Sequence, residues 1–370
     1  MHILFITEFL PPQIHGIATR FYHHIVLLRQ LGHTVHVVGP EYCPLTTIPL
    51  FVTPFHVFNP EVKICTISPC VVASILATIP TLDIVHMVCP ANPTFHILLP
   101  VFYAHNIPVV CSHHCDPSQF TSLLGKAKPL VLEMMRQLYF FSEKFVAIHL
   151  VPTKTAENRA FTDSFCAKRF DILPTGIDLQ LFHHRNLDLN QKSRCKTLVY
   201  VGRLSPEKNC EMMLRFFKRL VSLDGYGDYR LRIIGDGPSI ESLMRLSTSI
   251  SGVEFVGQIP HYLLVKYYRK AQAFVTFSLS EMFGFTNLEA LACATPIIYP
   301  ACEVFDRYYR SDFSETRFDL TDFHSFKRAV DATYRTPKLQ QKAIAFCAGK
   351  DWYSKTRALS SIYQKIIDGM

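Results

Sequence analysis

The stretch Ala273-Phe274-Val275-Thr276-Phe277-Ser278-Leu279-Ser280-Glu281-Met282-Phe283-Gly284-Phe285-Thr286-Asn287-Leu288-Glu289-Ala290 decides how the chain is read. Ala273–Phe277 is a short apolar run without polar alternation, the pattern of a strand buried on both faces of a parallel sheet. It passes directly into a glycine turn that opens a helix. Two carboxylates, Glu281 and Glu289, flank that turn. Free amides and the helix dipole favour an anion at such a place. Gly284 allows close backbone approach, and the carboxylates can accept from hydroxyl groups. A phosphate lying beside sugar hydroxyls therefore fits the segment better than a phosphate alone. Thr286 with Glu289 also reads as a capping box, which needs no ligand. That explains Glu289 but not Glu281 or Phe283-Gly284.

Outward from this segment the same unit recurs. Leu198–Val201, Leu231–Ile234, Val253–Val256 and Pro296–Tyr299 read as further buried strands. The helix after Pro206 carries Met212, Met213, Phe216, Phe217 and Leu220 at a period near that of an α-helix, so all five are expected on its buried face. The first half repeats the plan with His2–Ile6, Thr34–Val38, Lys63–Ile67, Asp83–Met87, Pro108–Cys111 and Val146–Val151. Its first helix aligns Phe21, Ile25, Leu28 and Leu31 and stops at Gly32. Repeated βα alternation predicts α/β architecture, two doubly wound Rossmann-like domains facing a cleft. The expected division is an N-terminal domain over 1–182, a polar linker over 183–196 and a C-terminal domain over 197–351. Ligands of such sheets sit beyond the carboxyl ends of the strands.

Composition agrees with a two-domain globular chain. The 370 residues are 49% hydrophobic and 18% charged, which excludes disordered, collagen-like and coiled-coil classes. The net charge of +8 is uneven: between Tyr42 and Cys115 only Glu61, Lys63 and Asp83 are charged, so the rest of the chain nets +9. Within this gap the uncharged run Ile84–Cys115 is long enough to cross a bilayer, but Pro90, Pro93, Pro100 and Pro108 break it. The amino terminus lacks the basic start of a signal peptide. The chain is expected in the cytoplasm or at the cytosolic face of a membrane. Twelve scattered cysteines without a CxxC pair read as reduced, mostly buried thiols. Nucleic-acid binding is not expected, because aromatic residues are not interleaved with a basic run.

Glu281, Phe283-Gly284, Glu289-Ala290 and Pro296 resemble the E-x7-E motif of retaining GT-B glycosyltransferases of glycosyltransferase family 4. Other segments resemble that family in order: Pro174-Thr175-Gly176-Ile177-Asp178, Val201-Gly202-Arg203-Leu204-Ser205-Pro206-Glu207-Lys208-Asn209, Leu231–Pro238 and Val253–Gly257. The resemblance implies transfer of a sugar from a nucleotide diphosphate, UDP or GDP, to a glycan or lipid hydroxyl, with no metal or other cofactor. It implies that Arg203 and Lys208 neutralise the diphosphate, that Glu289 binds the ribose and Glu281 the donor sugar, that the amides of Gly284, Phe285 and Thr286 hold phosphate and sugar oxygens, and that Phe283 belongs to the donor site. Gly257 falls on the base side. Gly16, in Pro11-Pro12-Gln13-Ile14-His15-Gly16-Ile17, takes the place of the family's glycine-rich loop. His114, after the strand Pro108–Cys111, matches a histidine near carbon 6 of the donor sugar. The terminal segment from Trp352 resembles a closing helix, 352–370, that packs back on the N-terminal domain, with Trp352 as core.

The chain also departs from the family pattern. His15 stands where a glycine is usual, and Ala294 stands before the motif's proline in place of glycine. Tyr299-Pro300-Ala301-Cys302-Glu303-Val304 replaces a glycine-rich loop. Two other readings stay open: a nucleotide-sugar epimerase on the same architecture, and a non-catalytic nucleotide-sugar-binding protein. Ser112-His113-His114-Cys115-Asp116 has metal-ligand residue types, but adjacent residues rarely converge on one ion. Parts of the first half are somewhat like sulfoquinovosyl-diacylglycerol synthases, which hints at a lipid acceptor. The apolar stretches Pro44–Phe58 and Phe95–Tyr103 are expected as helix or loop. If exposed, they would form a patch for peripheral membrane contact.

Overall fold

The computed structural model describes residues 1–13, 16–54, 63–66, 69–89, 96–114, 133, 137–138, 140–153, 169–185, 196–279, 281, 284–335 and 338–369. The chain divides into two compact units, Met1–Gly176 with Trp352–Met370, and Ile177–Asp351. Residues 177–182, expected with the first domain, belong to the second. Ile177 donates its amide to Lys350 O at 2.8 Å, and Phe182 is buried in that unit's core.

The first unit is built on β1 (His2–Ile6), β2 (Thr34–Pro40), β3 (Ile48–Pro54), β4 (Lys63–Thr66), β5 (Ile84–Cys89), β6 (Val109–His113), β7 (Ile148–Val151) and β8 (Phe170–Ile172). They form one sheet in the order β4-β3-β2-β1-β5-β6-β7-β8. All pairs are parallel except β3 with β4. The central strands are apolar on both faces because both faces are covered. Leu4, Ile6, Val85 and Met87 pack on one side, and Ile3, Phe5, Ile84 and Val110 on the other. The helix Gly16–Gln30 lies on the second side with the last helix, Trp352–Asp368, whose Leu359 and Tyr363 enter the same core. Trp352 is buried, and its ring fills the space beside Gly176 that a Cβ would need.

This sheet accounts for the charge-poor stretch. It supplies β3, β4, β5 and β6, two of them next to the centre. Part of Pro44–Phe58, expected as helix or loop, is the strand β3, and 55–58 lie outside the described residues. Of the apolar run ending at Tyr103, His96, Leu98, Leu99 and Phe102 are buried, while Ile97 is 70% and Tyr103 61% exposed. Most of that run is therefore core rather than surface. Phe95 lies outside the described residues. Among the described residues no helix is long and apolar enough to cross a membrane. Cys43, Cys111, Cys210, Cys293 and Cys347 are buried free thiols, Cys302 is half-buried and Cys70 is exposed.

The second unit holds an all-parallel sheet of β9 (Thr197–Val201), β10 (Arg230–Ile234), β11 (Val253–Gly257), β12 (Ala273–Val275), β13 (Ile297–Pro300) and β14 (Arg317–Phe318). Their order is β11-β10-β9-β12-β13-β14, with the strand reversal between β9 and β12. Helices cover both faces. The helix Cys210–Val221 buries Met213, Leu214, Phe217 and Leu220, whereas Met212, expected inside, is 38% exposed. Most of the linker expected over 183–196 lies outside the described residues.

Candidate active site

The site grows from the carboxyl ends of β9 and β12, on either side of the strand reversal. After β9 the chain runs against the end of β10: Gly202 N donates to Ile234 O at 3.0 Å and Leu204 N to Asp236 O at 2.8 Å. Gly235 makes this approach possible. Its φ is +133°, and a Cβ there would stand 2.0 Å from Gly202 O. Arg203 is exposed at this crossing, with its carbonyl held by the Tyr200 hydroxyl at 3.0 Å. A single 3-10 turn, Pro206–Lys208, ends at Asn209 in the left-handed region. Asn209 Nδ2 donates to Phe277 O at 3.1 Å, tying this turn to the chain leaving β12. Lys208 is thereby brought to Glu281, Nζ to Oε1 2.5 Å, although 73 residues separate them. The two side chains are 21% and 22% exposed, so the pair is neither dry nor freely solvated.

The second carboxylate has other partners. The helix Phe285–Ala292 starts at Gly284, whose φ of +81° and carbonyl, accepting from Asn287 N at 3.1 Å, make it the cap. Thr286 therefore lies inside the helix, and no side chain caps it. The capping-box reading of Thr286 with Glu289 is corrected by this geometry. Glu289 is buried and accepts twice, from His261 Nε2 at 2.7 Å and from the Tyr268 hydroxyl at 2.9 Å. Burial opposes charge on His261. The hydrogen bond and charge of Glu289, with Asp178 behind them, outweigh it and raise the histidine's pKa. Burial and Glu289 together push the Tyr268 hydroxyl well above its ordinary pKa, so it stays a donor.

The second unit thus brings together Arg203, Lys208, Glu281, Gly284 and Glu289 around two strand ends, with Phe285 and Thr286 on the first turn of the helix. Gly257 ends β11, where its carbonyl accepts from Gly235 N at 3.0 Å. Phe283, with Ser280 and Met282, lies outside the described residues, as do His15, Cys115 and Asp116. His114 and Gly16 belong to the first unit. Gly16 opens the helix Gly16–Gln30. His114 follows β6 and meets the Phe21 ring edge-on at 5.1 Å. Burial, then the charge of Arg20, holds its pKa well below the usual histidine range. His113 hydrogen-bonds His149, Nε2 to Nδ1 2.8 Å, rather than joining His114. Among the described residues no group of three metal-ligating side chains converges. Sequence reading did not find His261 or Tyr268, which sit in no motif, and gave no role to Asn209, which closes one; each meets its partner 21 to 68 residues away.

Two departures from the family pattern acquire a physical description. Ala294 is buried with φ +55°, a conformation that favours glycine. After β13 only Ala301 and Cys302 precede the helix Glu303–Phe313, so this loop is short.

Comparison with known proteins assigns both halves. The family model for glycosyl transferases group 1 matches residues 186–346. The model for glycosyltransferase family 4 matches residues 14–181. An α-monoglucosyldiacylglycerol synthase of Streptococcus pneumoniae is 27% identical over 233 residues, 59% of this chain and 51% of the relative. A sulfoquinovosyl transferase of Arabidopsis thaliana is 23% identical over 299 residues, 77% of this chain and 56% of the relative. The chain thus spans about half the length of the curated relatives it matches. Among solved structures, sucrose-phosphate synthase from Thermosynechococcus elongatus superposes with a TM-score of 0.75 at 17% identity, covering 100% of both chains. The Anabaena protein HepE, solved with UDP and glucose, gives 0.69 at 13% identity, covering 99% of this chain and 100% of that one. These two likenesses speak to the fold. With glycosyltransferase models matching both units in order on two Rossmann-like sheets, the chain belongs to the GT-B glycosyltransferases.

Proposed function

We propose that the protein is a retaining, metal-independent glycosyltransferase that moves a sugar from a nucleotide diphosphate to the hydroxyl of a lipid or glycan. The observation that carries this reading is the Lys208–Glu281 pair at 2.5 Å, which joins the turn after β9 and Arg203 to the chain that leaves β12, with Glu289 on the following helix fixed by His261. A diphosphate brought to Arg203 and Lys208 adds a second anion beside Glu281. Lys208 then shares its charge between phosphate and Glu281, and Glu281 is left to accept from a sugar hydroxyl. The two cations stabilise the charge that develops on the leaving diphosphate, the task a divalent metal performs elsewhere. Glu289, fixed by His261 and Tyr268, presents its carboxylate to the ribose. In the retaining step the bond from the anomeric carbon to the diphosphate oxygen breaks. The acceptor oxygen bonds on the same face, and its proton passes to the departing diphosphate. UDP or GDP is the expected carrier.

The name of the Streptococcus relative, a monoglucosyldiacylglycerol synthase, points to a lipid acceptor, and the first unit carries a surface suited to one. Phe140 is 67% exposed, with Phe141, Tyr103 and Ile97 also exposed. The Lys144 ammonium lies 4.7 Å from the Phe141 ring centroid and 4.9 Å from that of Phe145. Aromatic rings beside a lysine suit an anionic membrane face, where the rings insert and the cation stays at the headgroups. The decisive experiment measures transfer from UDP- and GDP-sugars without added metal and in excess chelator. Lys208→Ala and Glu281→Ala should each lower turnover at least about a hundredfold, the scale of one lost charge-stabilising group, with unchanged unfolding midpoints. Full activity in either variant would overturn the assignment. Flotation with anionic liposomes, lost in Phe140→Ser/Phe141→Ser, tests the membrane part separately.

A further inference from the structure

The first unit contains a buried cation that nothing in the proposed transfer uses. Arg20, on the helix Gly16–Gln30, is 1% exposed. One terminal nitrogen donates to Thr175 Oγ1 at 2.8 Å and the other to Leu173 O at 2.6 Å. Both acceptors are neutral, and Nε has no partner. Burial alone lowers the guanidinium to a pKa of about 9, and no carboxylate among the described residues counters it. Burial, then the charge of Arg20, holds the pKa of three histidines, His24, His86 and His114, below the usual range. His86 is satisfied on both sides, by the Tyr363 hydroxyl and by Ser112 Oγ at 2.6 Å. His24 Nδ1 donates to Thr356 Oγ1 at 2.9 Å, because that hydroxyl is itself committed to Trp352 O; His24 Nε2 is left unpartnered. His114 Nε2 is likewise buried without a partner. The rings of His24, His86 and His114 lie 6.1, 5.5 and 5.1 Å from that of Phe21, so the three histidines cluster around the residue next to Arg20 in the chain.

A buried guanidinium without a counter-charge is expensive, and three unsatisfied buried nitrogens add to the cost. A water would satisfy a nitrogen but leave the charge uncompensated. A metal ion would be repelled by Arg20. An anionic oxygen group answers both needs: it accepts from Arg20 Nε–H and from a proton on His114 Nε2, and it balances the charge. His114 is the half-buried member, at the carboxyl end of β6, where ligands of such sheets are taken.

We propose that Arg20 and His114 form a recognition site for an anionic group (carboxylate, sulfonate or phosphate) carried by a substrate of this enzyme. The site itself does not depend on the transfer reading; only the source of the anion does. The test uses the full chain labelled with 15N-histidine, with His114 and His24 resonances assigned through His114→Gln and His24→Gln. Inorganic sulfate, titrated against chloride at matched ionic strength, should move the His114 Nε2 resonance saturably. Arg20→Lys, which keeps a charge but loses the planar fork, should weaken that response roughly tenfold. UDP-glucuronate moving the resonance where UDP-glucose does not places the anion on the donor sugar. Phosphatidate vesicles moving it where diacylglycerol does not place it on the acceptor. No saturable response to sulfate overturns the proposal. So does a response to sulfate that neither carrier reproduces, which would mark an adventitious ion only. The wild-type titrations require no turnover, so their outcome is separable from failure of the transfer reading.

Discussion

Glu289 shows how a single carboxylate is prepared for work. Its two oxygens are already taken by His261 and Tyr268, so its rotamer is fixed before any ligand arrives. The His261 pKa is raised above its ordinary 6.5, so the charged form of this bond is fully present below 6.5 and is lost as pH rises through the raised value. Titration followed on the His261 ring resonances should give a pKa above 6.5, and Glu289→Gln should drop it below. An unchanged pKa in the Gln variant would remove Glu289 as the cause. Ala294 makes the opposite point, since it holds φ +55° while fully buried. Ala294→Val places a β-branched side chain in that conformation and overfills the core, and should lower stability by about 2 to 4 kcal/mol. Ala294→Gly exchanges strain for lost packing and should stay within about 1 kcal/mol of the parent. Denaturant midpoints of the two variants decide the matter.

At the scale of elements, the strand–turn–helix from β12 to Ala292 is the part most plainly written in the sequence. The apolar run and the glycine are local features: the run forms β12 over Ala273–Val275, two residues shorter than expected, and the glycine starts the helix. Gly284 is required by its φ of +81°, and a Cβ would also stand 3.0 Å from Asn287 Nδ2. Gly284→Ala should cost about 1 to 2 kcal/mol, the penalty of a left-handed L-residue. It should weaken nucleotide binding more than Gly225→Ala, a control in an open turn of similar φ, +84°. Isothermal titration with UDP makes the comparison. What the sequence hid has physical causes. β3 carries Pro49 and Pro54 within an apolar stretch, and those prolines argue against a strand, yet it pairs as one and buries Ile48 and Leu50. β8 and β14 are three and two residues long, too short for any period to show. Met212 fits the helical period but falls at the edge of the buried face, where the adjoining Met213 takes the core position. His261, Tyr268 and Asn209 act through contacts that exist only after the strand order has brought distant segments together.

At the scale of the molecule, the two units differ in how they hold histidine. The first buries His24, His86, His96 and His149 and half-buries His113 and His114, and desolvation is the leading cause by which each pKa falls. His86 falls to about 3, and His96 and His149 to about 4. The second unit buries no histidine among its described residues, and His261 there shifts upward. A histidine whose folded pKa is depressed lends its full stability above 6.5 and loses it as pH falls toward the folded value. Each such group costs about 1.4 kcal/mol per pH unit below 6.5. For His86, His96 and His149 together, pH 5.5 therefore removes about 4 kcal/mol, a large share of a domain's usual margin. Acid should unfold the first unit before the second. The single tryptophan of the chain, Trp352, reports on this directly, since it is buried in the first unit against His23 at 5.0 Å. Between pH 7.5 and 5.5, the midpoint of the tryptophan-fluorescence transition should fall steeply. The transition that the fluorescence does not see, followed by circular dichroism, should move much less. Parallel shifts of both would mean that the buried histidines do not set the acid response, or that the units unfold as one.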